Sequence, residues 1–340
     1  MFAKKFVMAA AVGLGATLAG NGVLAQPAFF AGKTIEIWIG ADVGGGYDTN
    51  ARLVARYIPE HIAGKPTLLP KNMPGGGSLR AANAVYNAAP KDGTVIGAPS
   101  RSVMTMPLLG VEAAKLDVTK ALWVGSVASE DSTCVAWSTT GIKTLADAQN
   151  KKLIVGTSGP GSSTHTYALL IQNLFDAKFH LITGYPGGKE TQIALERGEV
   201  EGTCGSYSSL KTQKPEWVRE KKVNFLVLIG ANRDPELPDV PTVLELSTTD
   251  EQRNLLKIVL APQTAGRPLF LPPDVPADRV TILRRAFDAT MKDQRFVADA
   301  KKIGLEVNPI TGEQIQKIAQ DVYGLPREVV AKAKTYLESR

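Results

Sequence analysis

Short apolar runs alternate along the chain with segments of helical periodicity. IEIWIG (35–40), TLLPKNM (67–73) and TVIGAPS (94–100) predict strands in the first half, and KLIVGTS (152–158) and FHLITGY (179–185) predict strands in the second. Strands that alternate with helices are typical of α/β proteins with parallel sheets. We therefore predict an α/β fold in which parallel strands dominate the sheets.

Helical periodicity dominates the C-terminal part of the chain. A proline-rich link, RDPELPDVPT (233–242), separates it from the apolar run NFLVLIG (224–230). Two long segments, 281–304 and 311–338, place apolar residues at helical spacing. We predict that both segments are helical.

The first 25 residues have the pattern of a secretory signal peptide. Lys4 and Lys5 precede an apolar stretch that is too short to span a bilayer, and Val23 and Ala25 occupy the −3 and −1 positions before Gln26. No cysteine follows this cleavage site, so a lipid anchor there is excluded. We expect the mature chain to work outside the cytoplasm, most simply in a bacterial periplasm, where ATP and NAD are scarce.

Length and charge narrow the class of protein. A mature chain of about 315 residues is long for one core and sufficient for two domains. The net charge is +6, of which Lys4 and Lys5 contribute two, and no dense basic run accompanies it. This pattern indicates a solvated surface that mildly favours anions, and it excludes a nucleic-acid partner.

Histidines and cysteines give no sign of a metal or cofactor. His61, His165 and His180 are the only histidines, and none has metal-ligand spacing to another histidine or to a cysteine. We expect no metal and no cofactor. The two cysteines, Cys134 and Cys204, are compatible either with a disulfide or with two buried thiols.

Two glycine-rich loops follow predicted strands, one in each half of the chain. They are VGGGYDTNAR (43–52) and TSGPGSSTH (157–165). Each places backbone N–H donors, and the second also hydroxyl groups, at the start of a predicted helix, where anions bind. Asp48 is expected to cap the helix after the first loop. Neutral donors of this kind suit a carboxylate or sulfate.

The same loops fit enzyme templates poorly. Thr49 stands where G-x-G-x-x-G requires its third glycine, and the Lys-Ser/Thr ending of a P-loop is missing. Pro160 occupies the last glycine position of a nucleophile elbow. His165 follows the serines closely in sequence, on the next helix, and is no obvious base for them. We therefore predict that the protein is not an enzyme.

Several segments together resemble the extracytoplasmic solute receptors of the tripartite tricarboxylate transporter family, also called the Bug (Bordetella uptake gene) family. They are VGGGYDTNARLVARYI, KNMPGGGSLRAANAVYNAAPKDGTVIG, VGTSGPGSSTH, ITGYPGGKETQIALERGEVEG and LIGANRDPELPDVPTVLEL. The LPDVPT element joined to the earlier PGGG element is fairly specific, whereas each glycine loop alone is not. The resemblance runs from the signal peptide to the C-terminus in the family's order.

The resemblance implies a two-lobed periplasmic binding protein fold with two hinge crossovers. Residues 27–125 and 232–340 are expected to form one lobe, and 126–231 the other. In that topology the strands that carry Cys134 and Cys204 are neighbours, which favours the disulfide. A monomer is expected.

The resemblance also implies where the ligand binds. The first loop is expected to hold a ligand carboxylate, the second to close on it, and residues at nearby strand ends to face the same cleft, where open α/β sheets bind ligands. Arg101 is expected either to pair with a second carboxylate or to form a surface salt bridge. The expected ligand-binding residues are Gly45, Gly46, Tyr47, Asp48, Ser100, Arg101, Ser158, Gly159, Ser162, Ser163, Thr164, His165, Tyr185, Ser206 and Tyr207.

These features imply a receptor that closes over a small organic carboxylate and delivers it to membrane transporter subunits. A sensor on the same fold that signals to a membrane kinase is the alternative. A secreted hydrolase that uses Ser158 or Ser162 ranks far below, because it lacks a base and an orienting acid. The segment Cys204–Tyr207 departs from the commonest family form, so the identity of the ligand stays open.

Overall fold

Two β-sheets, each covered by helices, make up the protein. The computed structural model describes residues 28–230 and 232–337, and the predicted signal peptide lies outside the described residues. In the described part of the chain, no helix is long and apolar enough to cross a membrane.

The strands of the described residues include every one that the apolar runs predict. They are β1 (Thr34–Ile39), β2 (Thr67–Asn72), β3 (Val95–Ala98), β4 (Leu122–Ser126), β5 (Ser132–Trp137), β6 (Leu153–Thr157), β7 (Phe179–Thr183), β8 (Gly202–Ser206), β9 (Val223–Ile229), β10 (Pro268–Leu271) and β11 (Ile310–Thr311).

The helices connect and cover these strands. They are α1 (Gly46–Tyr57), α2 (Leu79–Ala88), α3 (Leu145–Asn150), α4 (Ser163–Leu174), α5 (Gly188–Glu196), α6 (Tyr207–Gln213), α7 (Pro215–Arg219), α8 (Val243–Leu246), α9 (Asp250–Ala265), α10 (Ala277–Lys292), α11 (Gln294–Lys302), α12 (Gly312–Tyr323) and α13 (Arg327–Leu337).

The first sheet has the strand order β11-β4-β10-β3-β1-β2. Strand β1 lies next to the edge strand β2, pairs in parallel with β2 and β3, and alternates buried isoleucines (Ile35, Ile37 and Ile39) with more exposed residues. Beyond β3 the pairing changes, because β10 runs antiparallel to both β3 and β4. We call the part of the molecule built on this sheet the first lobe.

The second sheet has the order β7-β6-β8-β5-β9 and carries the second lobe. β6 is parallel to β7 and β8, whereas β5 is antiparallel to β8 and β9. The chain enters this sheet between β4 and β5 and leaves it after β9. Both sheets are therefore mixed, and their antiparallel pairs lie on the side where the chain changes lobes.

Two helices that follow β9 in the chain, α9 and α13, pack on the second sheet. Apolar side chains of α9, among them Leu255 and Ile258, and Ala333 of α13 belong to the core of the second sheet. α10 and α11 instead pack on the first sheet, through residues such as Phe287 and Phe296. The strands divide between the sheets as the predicted domains do, while α9 and α13 cover the second sheet; the domain boundaries themselves stay a prediction.

Two features of the C-terminal part depart from the sequence expectation. β10 is a four-residue strand that inserts between β3 and β4, and no strand was predicted there. Both long periodic segments are also divided: 281–304 belongs to α10 and α11, and 311–338 to α12 and α13. Asp293 lies outside helical geometry, and its side chain accepts a hydrogen bond from the Arg295 N–H, which starts α11 as a separate helix.

Cys134 and Cys204 lie directly opposite each other on β5 and β8, with their Cα atoms 4.0 Å apart and their sulfurs bonded. Both are buried in the core of the second sheet. The bond closes a loop with a sequence separation of 70 residues.

We predict that the denatured, unreduced protein contains no titratable thiol and that reduction exposes both cysteines. Because the bond restricts a long loop in the unfolded chain, reduction should lower the free energy of unfolding by about 2–4 kcal/mol. Thiol titration and urea unfolding, with and without reductant, measure both effects. The double variant Cys134→Ala/Cys204→Ala is the control and should not respond to reductant; two free thiols in the unreduced protein would refute the pairing.

Candidate ligand-binding cleft

A cleft lies between the two lobes at the ends of their strands. The volume open to the centre of a water molecule is about 110 Å³. By the same measure, a single water needs roughly 10–15 Å³. The cleft therefore has room for a small organic molecule. Its wall includes Gly46, Tyr47, Ser100, Arg101, Ser158, Ser162, Ser163, Thr164 and Ser206 from the predicted set, and Asp42, Gly187, Gln192, Ser209 and Gln213 in addition.

Helix N-termini from both lobes border the cleft. The first residues of α1 line it from the first lobe, and those of α4 and α5 line it from the second. The N–H groups in the first turn of a helix have no partner within the helix, and the helix dipole adds positive potential there. The cleft is therefore surrounded by donors that favour an anion.

The loop before α1 is held from behind by Asp48. The helix starts at Gly46 with Gly45 as its N-cap, so the prediction that Asp48 is the N-cap is wrong. Asp48 is buried in the first turn, where its carboxylate accepts from the Gly44 N–H at 2.8 Å and from Arg52 Nε at 2.8 Å. Arg52 pairs with the negative charge of this carboxylate, and neither residue lines the cleft.

The loop before α4 is shaped by its own hydroxyl groups. Ser162 is the N-cap, and its Oγ accepts from the His165 N–H and donates to the Gly159 carbonyl at 2.7 Å. The Ser158 N–H donates to Thr164 Oγ1 at 2.9 Å. These bonds hold the loop open toward the cleft, with Ser163 at its tip.

The two lobes contact each other across the cleft. Ser100 Oγ of the first lobe lies 2.8 Å from Ser163 Oγ of the second. At the other end, Lys189 Nζ on α5 donates to the Val43 carbonyl at 3.1 Å. The described arrangement is thus one in which the lobes are closed on each other.

Arg101 does not have either of its predicted roles. Its side chain is 1% exposed, so it forms no surface salt bridge, and its guanidinium is held by protein acceptors instead of being open to a second carboxylate. Nε donates to Tyr167 Oη at 3.1 Å, and Nη2 donates to Ser132 Oγ at 2.5 Å. Nη1 forms an ion pair with Glu130 at 3.2 Å. Arg101 therefore ties the first lobe to the second from beneath the cleft wall.

Glu130 and Arg267 complete this buried cluster, and sequence reasoning missed both. Arg267 Nε forms an ion pair with Glu130 Oε1, and Ser206 Oγ donates to Glu130 Oε2 at 2.8 Å. Burial alone would raise the pKa of Glu130, but Arg267 and Arg101 outweigh it and hold the pKa below its ordinary value. The paired groups are two guanidiniums and one carboxylate, and the neighbouring Asp131 carboxyl lies within electrostatic range of Arg101.

Arg267 connects this charge to the first glycine loop. Its Nη2 donates to Ser209 Oγ at 2.7 Å, and its guanidinium lies 5.2 Å from the centre of the Tyr47 ring. A Cβ added at Gly46 would overlap Ser209 Oγ and Arg267 Nη1. Only glycine therefore allows the start of α1 to approach the second lobe this closely.

The remaining predicted residues lie outside the cleft wall. His165 is buried against Thr157 at 3.1 Å, and burial lowers its pKa, which favours the neutral ring. Tyr207 donates to Glu236 at 3.0 Å on another side of the molecule. The predicted residues that do not line the cleft are Gly45, Asp48, Gly159, His165, Tyr185 and Tyr207. For every member of the predicted set, contact with a ligand stays a prediction.

Nothing in the cleft indicates a metal or an enzyme centre. Within residues 28–230 and 232–337, no group of three or more His, Cys, Asp or Glu side chains is arranged to hold a metal ion. Ser162 Oγ donates to a backbone carbonyl, and His165 Nδ1 faces a threonine. The arrangement can bind an anion but supplies no activated nucleophile.

We predict that Glu130→Gln lowers the free energy of unfolding by roughly 3–5 kcal/mol at pH 7, because it leaves two buried guanidinium groups without a counter-charge. The matched control is Glu313→Gln, which removes an exposed carboxylate from its pair with Arg284 and should cost about 0–1 kcal/mol. Urea unfolding measures both. Equal effects of the two substitutions would show that the buried Glu130 contributes no more to the free energy of unfolding than an exposed carboxylate does.

The fold is similar to that of several solved structures, one of which is described as a periplasmic binding protein. The structure of periplasmic binding protein BugD superposes with a TM-score of 0.71 at 19% identity, over 89% of this chain and 97% of that one. MatC from Rhodopseudomonas palustris with bound malate gives 0.69 at 21% identity, over 90% and 99%. An R. palustris protein with adipate gives 0.67 at 19% identity, over 89% and 97%. These similarities confirm the predicted two-lobed fold.

Sequence comparison assigns the family. No protein of curated function is detectably similar in sequence. The family model described as the tripartite tricarboxylate transporter family receptor matches residues 51–334, which include the second half of α1, the second glycine loop and the proline-rich link. The chain therefore belongs to the tripartite tricarboxylate transporter receptor family, whose members are solute-binding receptors and not enzymes.

Proposed function

We propose that this protein is a periplasmic receptor that captures a small organic carboxylate between its lobes for uptake by a tripartite tricarboxylate-type transporter. The observation that carries the proposal is the convergence of helix N-termini from both lobes on one cleft. The predicted signal peptide supports the periplasmic location.

The donors in the cleft favour a carboxylate over a phosphate ester or a nucleotide. Gly46 and Tyr47 on one side and Ser163 and Thr164 on the other offer first-turn N–H groups, and serine hydroxyls lie between them. The buried guanidinium groups add positive potential without reaching the surface. A group with one negative charge and two acceptor oxygens can bridge such donors. The malate and adipate bound to similar structures belong to this chemical class.

Binding would act on the equilibrium between open and closed lobes. A carboxylate that accepts from α1 and α4 together gains its full set of hydrogen bonds only when the lobes are closed. It therefore stabilises the closed state by its differential affinity for that state. The closed state would then be recognised by the membrane subunits of the transporter.

A sensor on the same fold is the second candidate, because closure can be transmitted to a kinase as well as to a transporter. No residue of the cleft separates these two uses. The third candidate, hydrolysis at Ser158 or Ser162, is not favoured, since the described cleft supplies neither serine with a base.

We predict that the purified protein binds at least one member of a carboxylate panel with a micromolar or lower Kd. The panel contains malate, succinate, adipate, citrate, an aromatic acid and acidic amino acids. A thermal-shift screen followed by calorimetry measures the binding. If no member of the panel produces heat or a shift, the carboxylate proposal fails.

We predict further that Gly46→Val abolishes this binding, because the added side chain would overlap Ser209 and Arg267 and hold α1 away from the second lobe. Gly324→Val is the control. It lies at the end of α12, where an added Cβ meets only ordinary contacts at 3.4 Å or more, and it should bind like the wild type. Binding by Gly46→Val with unchanged Kd would exclude the first loop from the ligand site.

A further inference from the structure

Two carboxyl groups from opposite lobes meet at one end of the cleft. Asp42 follows β1 in the first lobe, and Glu190 lies in the first turn of α5 in the second. Asp42 reaches the N-terminus of α5, where a Cβ added at Gly187 would overlap its Oδ1, and the neighbouring Glu190 carboxyl raises the pKa of Asp42. Asp42 Oδ2 and Glu190 Oε2 are both buried, and neither has a donor in the protein. Two ionised carboxylates cannot donate to each other, so a hydrogen bond between the two requires a proton.

The surroundings of Asp42 offset the negative charge of the pair only in part. Asp42 is 7% exposed and packs so closely on the N-terminus of α5 that a Cβ at Gly187 would overlap its Oδ1. Lys189 on α5 supplies one positive charge, and its Nζ is bonded to the Val43 carbonyl. On α1 the carboxylate of Asp48 is paired with Arg52. Two carboxylates and one ammonium thus leave one negative charge at the closed interface.

We propose that Asp42 and Glu190 share one proton across the closed cleft, so that closure of the two lobes takes up a proton. The shared proton converts a repulsive contact into a hydrogen bond between the lobes. Burial, followed by the neighbouring Glu190 carboxyl, raises the pKa of Asp42 to about 7 in the closed arrangement.

The closed state binds more protons than the open state between about pH 4 and pH 7. When the lobes separate, both carboxyls meet water and Asp42 returns to its ordinary pKa near 4. Closure is therefore favoured most at acid pH, weakens as the pH rises through this range and levels off above about pH 7. One proton changes the closure equilibrium by up to about tenfold per pH unit.

Small-angle X-ray scattering of the full mature chain, without any ligand, tests the proposal at pH 5 and pH 8. The wild type should have a smaller radius of gyration at pH 5. In Asp42→Asn the amide donates to Glu190 without a proton, and in Glu190→Gln it donates to Asp42. Both variants should stay closed at both pH values and lose the pH response.

Asp274→Asn is the matched control, since it removes an exposed carboxylate paired with Lys91 at a backbone position, φ +66°, that asparagine tolerates. It should retain the pH response of the wild type. A wild-type radius of gyration that is equal at the two pH values would overturn the proposal. A pH response that persists in Asp42→Asn and Glu190→Gln would also overturn it, because the proton would then bind elsewhere.

A second measurement counts the proton and rests on the proposed function. Calorimetry with malate and adipate at pH 6.5, in two buffers of different ionisation heat, should show uptake of up to one proton by the wild type and none by Asp42→Asn. Binding without proton uptake by the wild type would contradict the shared proton. If neither acid binds, the carboxylate proposal loses its support from these two acids, while the scattering result still decides whether closure takes up a proton.

Discussion

The closed arrangement depends on one buried carboxylate, Glu130, which is held between Arg101 and Arg267. Glu130 lies where the chain passes from β4 to β5, and Arg267 lies where it returns through β10. Arg101 begins the turn that follows β3. The cluster therefore ties both crossovers to the cleft wall. Three buried charges are stable together only when each has its partners, so the ends of the strands and the first turns of α1 and α6 are positioned as a unit.

From this cluster follows the chemistry of the cleft. The charges lie behind the wall, and the wall itself presents mainly glycine, hydroxyl groups and the N–H groups of helix termini. Such a surface binds an anion mainly by hydrogen bonds, and Lys189 adds a positive charge at one end of the wall. The cluster also explains why α1 begins with glycine: a larger side chain at Gly46 would displace Arg267. The carboxyl pair Asp42 and Glu190 lies at the opposite end, next to Lys189, and makes closure sensitive to protons.

The sequence predicts the parts of the site that are local. Glycine, serine and threonine next to an apolar run identify both loops before α1 and α4, because strand ends and helix starts have recognisable residue preferences. The strands β1, β2, β3, β6, β7 and β9 are likewise visible as apolar runs. The pairing of Cys134 with Cys204 was implied only by the family resemblance, since nothing local to either residue reports the other.

Contacts between distant segments could not be predicted. β10 is short, contains a proline and is stabilised by two neighbours far away in sequence, so its pattern resembles an ordinary loop. Arg267 directly precedes β10, so the sequence gives no sign that it belongs to the site. Arg101 was noticed, but its burial by Glu130, Ser132 and Tyr167 depends on how the lobes meet. The prediction that Asp48 is the N-cap failed for a different reason. A carboxylate in the first turn of a helix can bond to N–H groups at the helix start just as an N-cap side chain does, so the sequence does not separate the two positions.

A crystal structure of the protein with its tightest-binding carboxylate tests the central claim most directly. The account predicts that the carboxylate accepts hydrogen bonds from the N–H groups of Gly46 and Tyr47 in α1, and from Ser163 or Thr164 in α4, with Glu130 still paired to Arg101 and Arg267. A carboxylate bound elsewhere, or one that touches only one lobe, would contradict it.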